Sequence, residues 1–182
     1  MMFFYKKGFV MSAKIELMKK LIGNYPPVFQ PDYSPYRNCY AHALNCYYED
    51  KDFSVYSPGA IYAAYNESEI FWDDGEYFFD YDLFIKLIKR DCSVLSISAS
   101  ACSFDSKLRD ESYKIALTYS KKDNDFHFLR QNYNGIWSHK PGFGRPRKIV
   151  KSEIIQYNGE KSLEIGGSLY RVFEIMELHK NN

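Results

Sequence analysis

Two residues far apart in the chain have the types and settings to do chemistry together. Cys39 opens a predicted helix, and His127 sits in the middle of an alternating aromatic strand. A thiol in the first turn of a helix meets unpaired N–H groups and a partial positive charge, and both favour the thiolate. The same N–H groups can face an oxyanion formed when the sulfur attacks a carbonyl. The bland reading is a small buried side chain, with Ala43 and Cys46 on the same helical face. His127 tips the balance towards chemistry. A helix-borne Cys followed much later by a strand-borne His is the thiol-hydrolase order, in which the base takes the thiol proton and the imidazolium protonates the leaving group.

His127 lies on a predicted β-hairpin over residues 125–142, with strands joined across Asn132-Tyr133-Asn134-Gly135. Thiol hydrolases orient the histidine with an Asp, Asn or second His. Nothing acidic stands between Asp125 and Glu153, so His139 is the leading candidate. The register decides. A two-residue Asn134-Gly135 turn sets His127 opposite Gly142 and sends His139 to the other face. A three-residue Tyr133-Asn134-Gly135 loop with a bulge at Gly135 sets His127 opposite Pro141, with His139 diagonal on the same face. The second is preferred, because Gly follows a plausible type I pair. Failing it, Ser138, Asn132 or a distant carboxylate must orient the ring.

Around this pair, Asn38 is the natural N-cap and, with Tyr36, a candidate supporting or oxyanion residue. Arg130 is a candidate for binding a substrate carboxylate, or else pairs with a surface acid. Trp137 is a packing residue or a cleft wall. His42, one turn after Cys39, reads as a partly exposed helix position. Asp73, Asp74, Asp80 and Asp82 lack calcium-loop spacing and read as a solvated loop with helix caps.

The elements that must position these residues follow from periodicity. Residues 13–22 form an amphipathic helix, and residues 24–38 an extended, proline-bearing arm leading to the nucleophile helix, which runs to about Tyr48. Ser57-Pro58 starts a helix over 58–67. Asp80 or Asp82 caps another over 82–91, with Leu83, Phe84, Leu87 and Ile88 on its buried face. Residues 93–98, 113–119, 125–131 and 136–140 read as strands, and 169–178 as a strand closing the sheet. Helices first and an antiparallel sheet after them make an α+β fold, with the helices on one side of a curved sheet.

Composition sets the outer limits. A chain of 182 residues, 46% hydrophobic and 26% charged, fits one domain over 1–182, with 1–12 expected to be disordered. Aromatic residues make up 18%, including 17 Tyr, enough to fill a core and line a cleft. A net charge of +1 with dispersed Lys and Arg argues against a nucleic-acid binder. The four cysteines form no C-x-x-C pair and read as reduced thiols in a cytoplasmic protein. No segment reads as a signal peptide or a membrane span, so no membrane partner is expected, though signal-less secretion stays open.

The segments Asn38-Cys39-Tyr40-Ala41-x-Ala43-Leu44, Pro58-Gly59, His127-x-x-Arg130 and Gly135-x-Trp137-Ser138-His139-Lys140-Pro141-Gly142 resemble the pattern of a largely uncharacterised bacterial group. That group is similar in organisation to papain-like cysteine hydrolases, especially the NlpC/P60 type with its Cys-His-His constellation. The likeness covers about residues 34–142. It implies a papain-like fold, Cys39 as nucleophile, His127 as base, His139 as orienting residue, an amide-containing substrate such as a peptide or protein, and no cofactor. Two other readings are open: an inactive interaction protein that keeps the fold, and a zinc site built from Cys39, His127 and His139.

Overall fold

A computed structural model describes Ala13, Glu16 and residues 27–29, 37–46, 57–66, 80–142, 144–150, 153–157 and 160–181. Of the helix expected over 13–22, Ala13 and Glu16 are helical and the rest lies outside the described residues. So do residues 1–12, Tyr36, the Asp73-Asp74 pair and most of the 24–38 arm.

The protein is an α+β structure. Helices α1 (Cys39–Ala43), α2 (Ala60–Tyr65) and α3 (Tyr81–Val94) precede strands β1 (Ile97–Ala101), β2 (Ser112–Ser120), β3 (Asp125–Gln131), β4 (Trp137–His139), β5 (Arg147–Lys148), β6 (Ile154–Tyr157), β7 (Glu160–Ile165) and β8 (Ser168–Lys180). The strands form one antiparallel sheet in the order β5-β4-β3-β2-β8-β7-β6. β8 was expected to close the sheet. It is instead the hub: β2 runs along one edge, while β7 and β1 share the other, at residues 168–171 and 176–180 respectively. No helix among the described residues is long and apolar enough to cross a membrane.

Alternation along β2 divides the core in two. Tyr113, Ile115 and Leu117 join Phe128 beneath the helices, against Tyr40, Leu44, Ile61, Phe84 and Ile88. Ala116 joins Leu129, Trp137, Ile149, Leu163 and Ile175 on the other face. Each large apolar side chain buried in these layers contributes about 2 kcal/mol. Both faces of the sheet thus carry buried side chains, and the three described helices pack on one of them.

Three helices depart from their expected bounds. α1 stops at Ala43 rather than near Tyr48, because Asn45 adopts the left-handed conformation at φ +56° and breaks the hydrogen-bond ladder. α2 starts at Ala60, with left-handed Gly59 as N-cap and no capping side chain of its own. Asp91 of α3 supplies the cap, accepting from Gly59 N and Tyr62 N at 2.7 Å each. α3 begins after Asp80, whose carboxylate caps Leu83 N, and continues through Val94, so residues 93–94 are helical and not strand. Its buried stripe is Phe84, Ile88, Asp91 and Cys92, while Leu83 faces solvent.

Candidate active site

The β3–β4 hairpin has the three-residue loop. Asn132 N and Ile136 O close it at 2.8 Å, Gly135 takes φ +81°, and Leu129, Arg130 and Gln131 pair with His139, Ser138 and Trp137. His127 therefore falls opposite Pro141, with His139 on the same face. Their rings meet: His127 Nε2 and His139 Nδ1 are 2.8 Å apart, both buried. The Tyr170 ring closes the other side of His127, and its hydroxyl donates to Asp125 at 2.7 Å.

The β3–β4 ladder ends at Leu129 and His139. No ladder pair among the described residues occupies the Phe128 N–H on that side, and it turns to the sulfur of Cys39. The N–H groups of Tyr40 and Cys39 itself also bear on that sulfur. Cys39 and the residue after His127 are thus neighbours, although they come from a helix and a strand distant in sequence. Successive strand residues point to opposite faces. Phe128 packs on Tyr40 of α1 with ring centroids 4.9 Å apart, and His127 leaves the sheet on the other side. Cys39 belongs to the buried cluster on the Phe128 side.

Burial governs the protonation of the site. Cys39 is only 7% exposed, and burial pushes its thiol up to about 11 against the opposing pull of the Phe128 N–H. Burial, then the neighbouring His139 and Arg147, takes His127 down to about 3. Burial and Arg147 take His139 down to about 4, with Glu153 opposing. At neutral pH the closed site holds a thiol and two neutral imidazoles.

The remaining predicted residues take other roles. Asn38 caps α1, its side-chain oxygen accepting from Tyr40 N at 3.0 Å and Ala41 N at 3.1 Å. Of the first-turn donors, those two are engaged by the cap. Arg130 does not line a cleft. It is 1% exposed, with Nη1 on the carbonyl of His42 and on Asn45 Oδ1, and Nε on Asn132 Oδ1. A guanidinium there satisfies carbonyls at the end of α1 and fastens the helix to β3. His42 is buried rather than partly exposed, and bonds Ser138 Oγ at 3.1 Å. Asn132 Nδ2 donates to the same hydroxyl at 2.9 Å. Ser138 and Asn132, the alternative orienting residues, thus serve this clamp.

Trp137 stacks on Phe104 with centroids 4.8 Å apart, and together they wall a cleft of about 470 Å³ with Lys114, Gln131 and Ile149. This cleft lies at the hairpin-loop end of the sheet face that carries the histidines. Among the described residues no group of three His, Cys, Asp or Glu side chains is arranged to hold a metal ion. The two histidine nitrogens that would ligate face each other instead.

Sequence reasoning missed Asp91 and the Tyr170–Asp125 pair. Asp91 had a visible signal: it falls on the Phe84–Ile88–Cys92 stripe, where an acid must find partners. Comparison of the chain with family models, with curated proteins and with solved structures yields no match.

Proposed function

We propose that this chain is a cysteine-dependent hydrolase or acyltransferase of papain-like organisation, acting on an amide bond of a peptide, protein or similar substrate without a cofactor. Cys39 is the nucleophile, His127 the base and His139 the residue that orients it. The observation that carries this reading is the 2.8 Å contact between His127 Nε2 and His139 Nδ1, on the strand whose next N–H is aimed at the Cys39 sulfur.

With its Nε2 proton donated to His139, His127 keeps a lone pair on Nδ1. That nitrogen takes the Sγ proton as the sulfur attacks the carbonyl carbon, and the C=O electrons move to oxygen. The Cys39 and Phe128 N–H groups, which bear on the sulfur and are not engaged by the Asn38 cap, are the donors for the resulting oxyanion. The imidazolium then gives its proton to the departing amine, the C–N bond breaks, and a thioester remains. Water completes hydrolysis; an amine completes transfer.

A second reading, an inactive interaction protein, is favoured by the burial of Cys39 and its raised thiol. Incubation with a panel of activated acyl donors, read by intact mass, separates the two. An acyl adduct that disappears in Cys39→Ala supports the enzyme. No adduct, together with iodoacetamide labelling no faster than that of a peptide thiol at pH 7, supports the inactive protein.

A further inference from the structure

We propose that Tyr170 is a positioning residue for His127: a β-bulge turns it onto the histidine face, where its ring fixes the orientation of the base. This rests on the reading of His127 as base and adds a third strand to that site.

The register reveals the bulge. Ala116 and Thr118 of β2 are two residues apart and share a face. Their partners on β8, Ile175 and Val172, are three apart, so one extra residue enters β8 where the ladder passes from Leu117 to Thr118. In an unbroken ladder Thr118 would meet Phe173, and Tyr170 would point to the helix face. With the bulge, Val172 and Tyr170 return to the face of Ile175, and Phe173 is left 40% exposed.

That face is the one His127 uses. Thr118 pairs with His127 on one side and Val172 on the other, so the three form a row across β3, β2 and β8. Thr118 is short, and its hydroxyl turns to the His127 carbonyl at 2.8 Å. Tyr170, two residues before Val172, reaches across that low point. Its ring meets the His127 ring with centroids 5.8 Å apart and planes at 61°. Its hydroxyl is tied to Asp125 at 2.7 Å, two residues before His127 on the same face. Tyr170 thus touches β3 at two points. It is itself held in place, only 8% exposed and paired with the fully buried Leu163 of β7.

His127 has use for such a wall. The torsion about its Cβ–Cγ bond is intrinsically broad. A half-turn exchanges Nε2 for Cε1 and Nδ1 for Cδ2, which takes the hydrogen bond and the basic nitrogen from their places together. His139 holds one side of the ring at 2.8 Å, and Tyr170 closes the other.

The test is the exchange with water of the proton shared by His127 and His139, followed by NMR in the full chain with ¹⁵N-labelled histidine. Wild type, Tyr170→Leu and Tyr170→Phe are compared, with folding checked by circular dichroism. Exchange is expected to be about tenfold faster, or the signal lost, in Tyr170→Leu, and within about threefold of wild type in Tyr170→Phe, which keeps the ring. A folded Tyr170→Leu that exchanges like wild type overturns the proposal, and so does a Tyr170→Phe that exchanges like Tyr170→Leu. Should Tyr170→Leu not fold, or the proton give no signal in wild type, the nuclear Overhauser contact between the Tyr170 and His127 rings decides. Its presence supports the positioning role and its absence overturns it. Acyl-adduct formation at Cys39 is scored separately. No adduct in wild type removes the enzyme reading and leaves the exchange result standing. An adduct formed as fast in Tyr170→Leu as in wild type removes the positioning role and leaves the enzyme.

Discussion

His127 Nε2 and His139 Nδ1 face each other at 2.8 Å, and the remaining ring nitrogen of His139, Nε2, is buried without a hydrogen-bond partner. A single proton must lie between the facing nitrogens. If His127 contributes it, neutral His139 carries its own proton on the orphan Nε2, at a cost of about 1–3 kcal/mol for an unpaired buried donor. If His139 contributes it, His127 is protonated on Nδ1 and is not a base. Arg147, opposite His139, disfavours positive charge on that ring, and Glu153, which Arg147 holds, counters that effect more weakly.

Histidine ¹⁵N shifts read this choice directly. At pH 6 both rings are expected to be neutral, with the proton on Nε2 in each. A proton on His127 Nδ1 counts decisively against its role as base.

Stability is expected to fall as pH drops below about 6.5, the ordinary imidazole range. His127 and His139 titrate near 3 and 4 in the folded chain, and burial holds His42 well below its ordinary value. Unfolding at pH 4–6.5 therefore takes up protons, and each such histidine removes about 1.4 kcal/mol per pH unit. Their stabilising contribution is complete above that window and is lost towards the folded pKa values. Urea midpoints from pH 7.5 to 4.5 measure it, and a flat profile would contradict the neutral burial of these rings.

Asp91 acts in the opposite sense. Burial raises its carboxyl to about 6 despite the N–H of Tyr62 and the Tyr40 hydroxyl. Its contribution is complete below the ordinary carboxylate range and is lost as pH rises through 6. Asp91→Asn offers one acceptor oxygen where the carboxylate serves Tyr40, Gly59 and Tyr62. The variant is expected to be less stable by about 2–3 kcal/mol at pH 5. It should also lose less stability between pH 4 and 6 than wild type, which paired urea titrations would show.

Arg130→Met removes donors from the His42 carbonyl, Asn45 and Asn132 at once. A loss of about 3 kcal/mol or more is expected, with little recovery in Arg130→Lys, because an ammonium cannot reproduce the planar fork. Thermal unfolding gives the loss. Any effect on Cys39 reactivity should track the folded fraction; a selective effect in fully folded protein would restore a role at the site.

The hairpin was legible in part: Gly135 after a plausible type I pair favours the three-residue loop over the two-residue turn, and that register sets His139 beside His127. The alternation of residues 113–119 likewise fixed β2. Arg130 and His42 were not legible, since residue type says nothing of burial when a polar side chain has buried carbonyls and hydroxyls to meet. The early end of α1 was hidden because Asn45 is compatible with a helix until Arg130, distant in sequence, holds its side chain in another conformation. The hub position of β8 escaped for the same reason: strand pairing over such separations leaves no local mark.

That hub has a consequence for synthesis. β2 reaches its sheet neighbour on one side only when residues 171–179 arrive, and β1 has no strand partner until residues 176–180 do. The β2–β3–β4–β5 half of the sheet can pair earlier, but the sheet is complete only once residue 180 has been delivered. Premature termination anywhere before β8 is expected to yield chains for proteolysis rather than a trimmed, working domain.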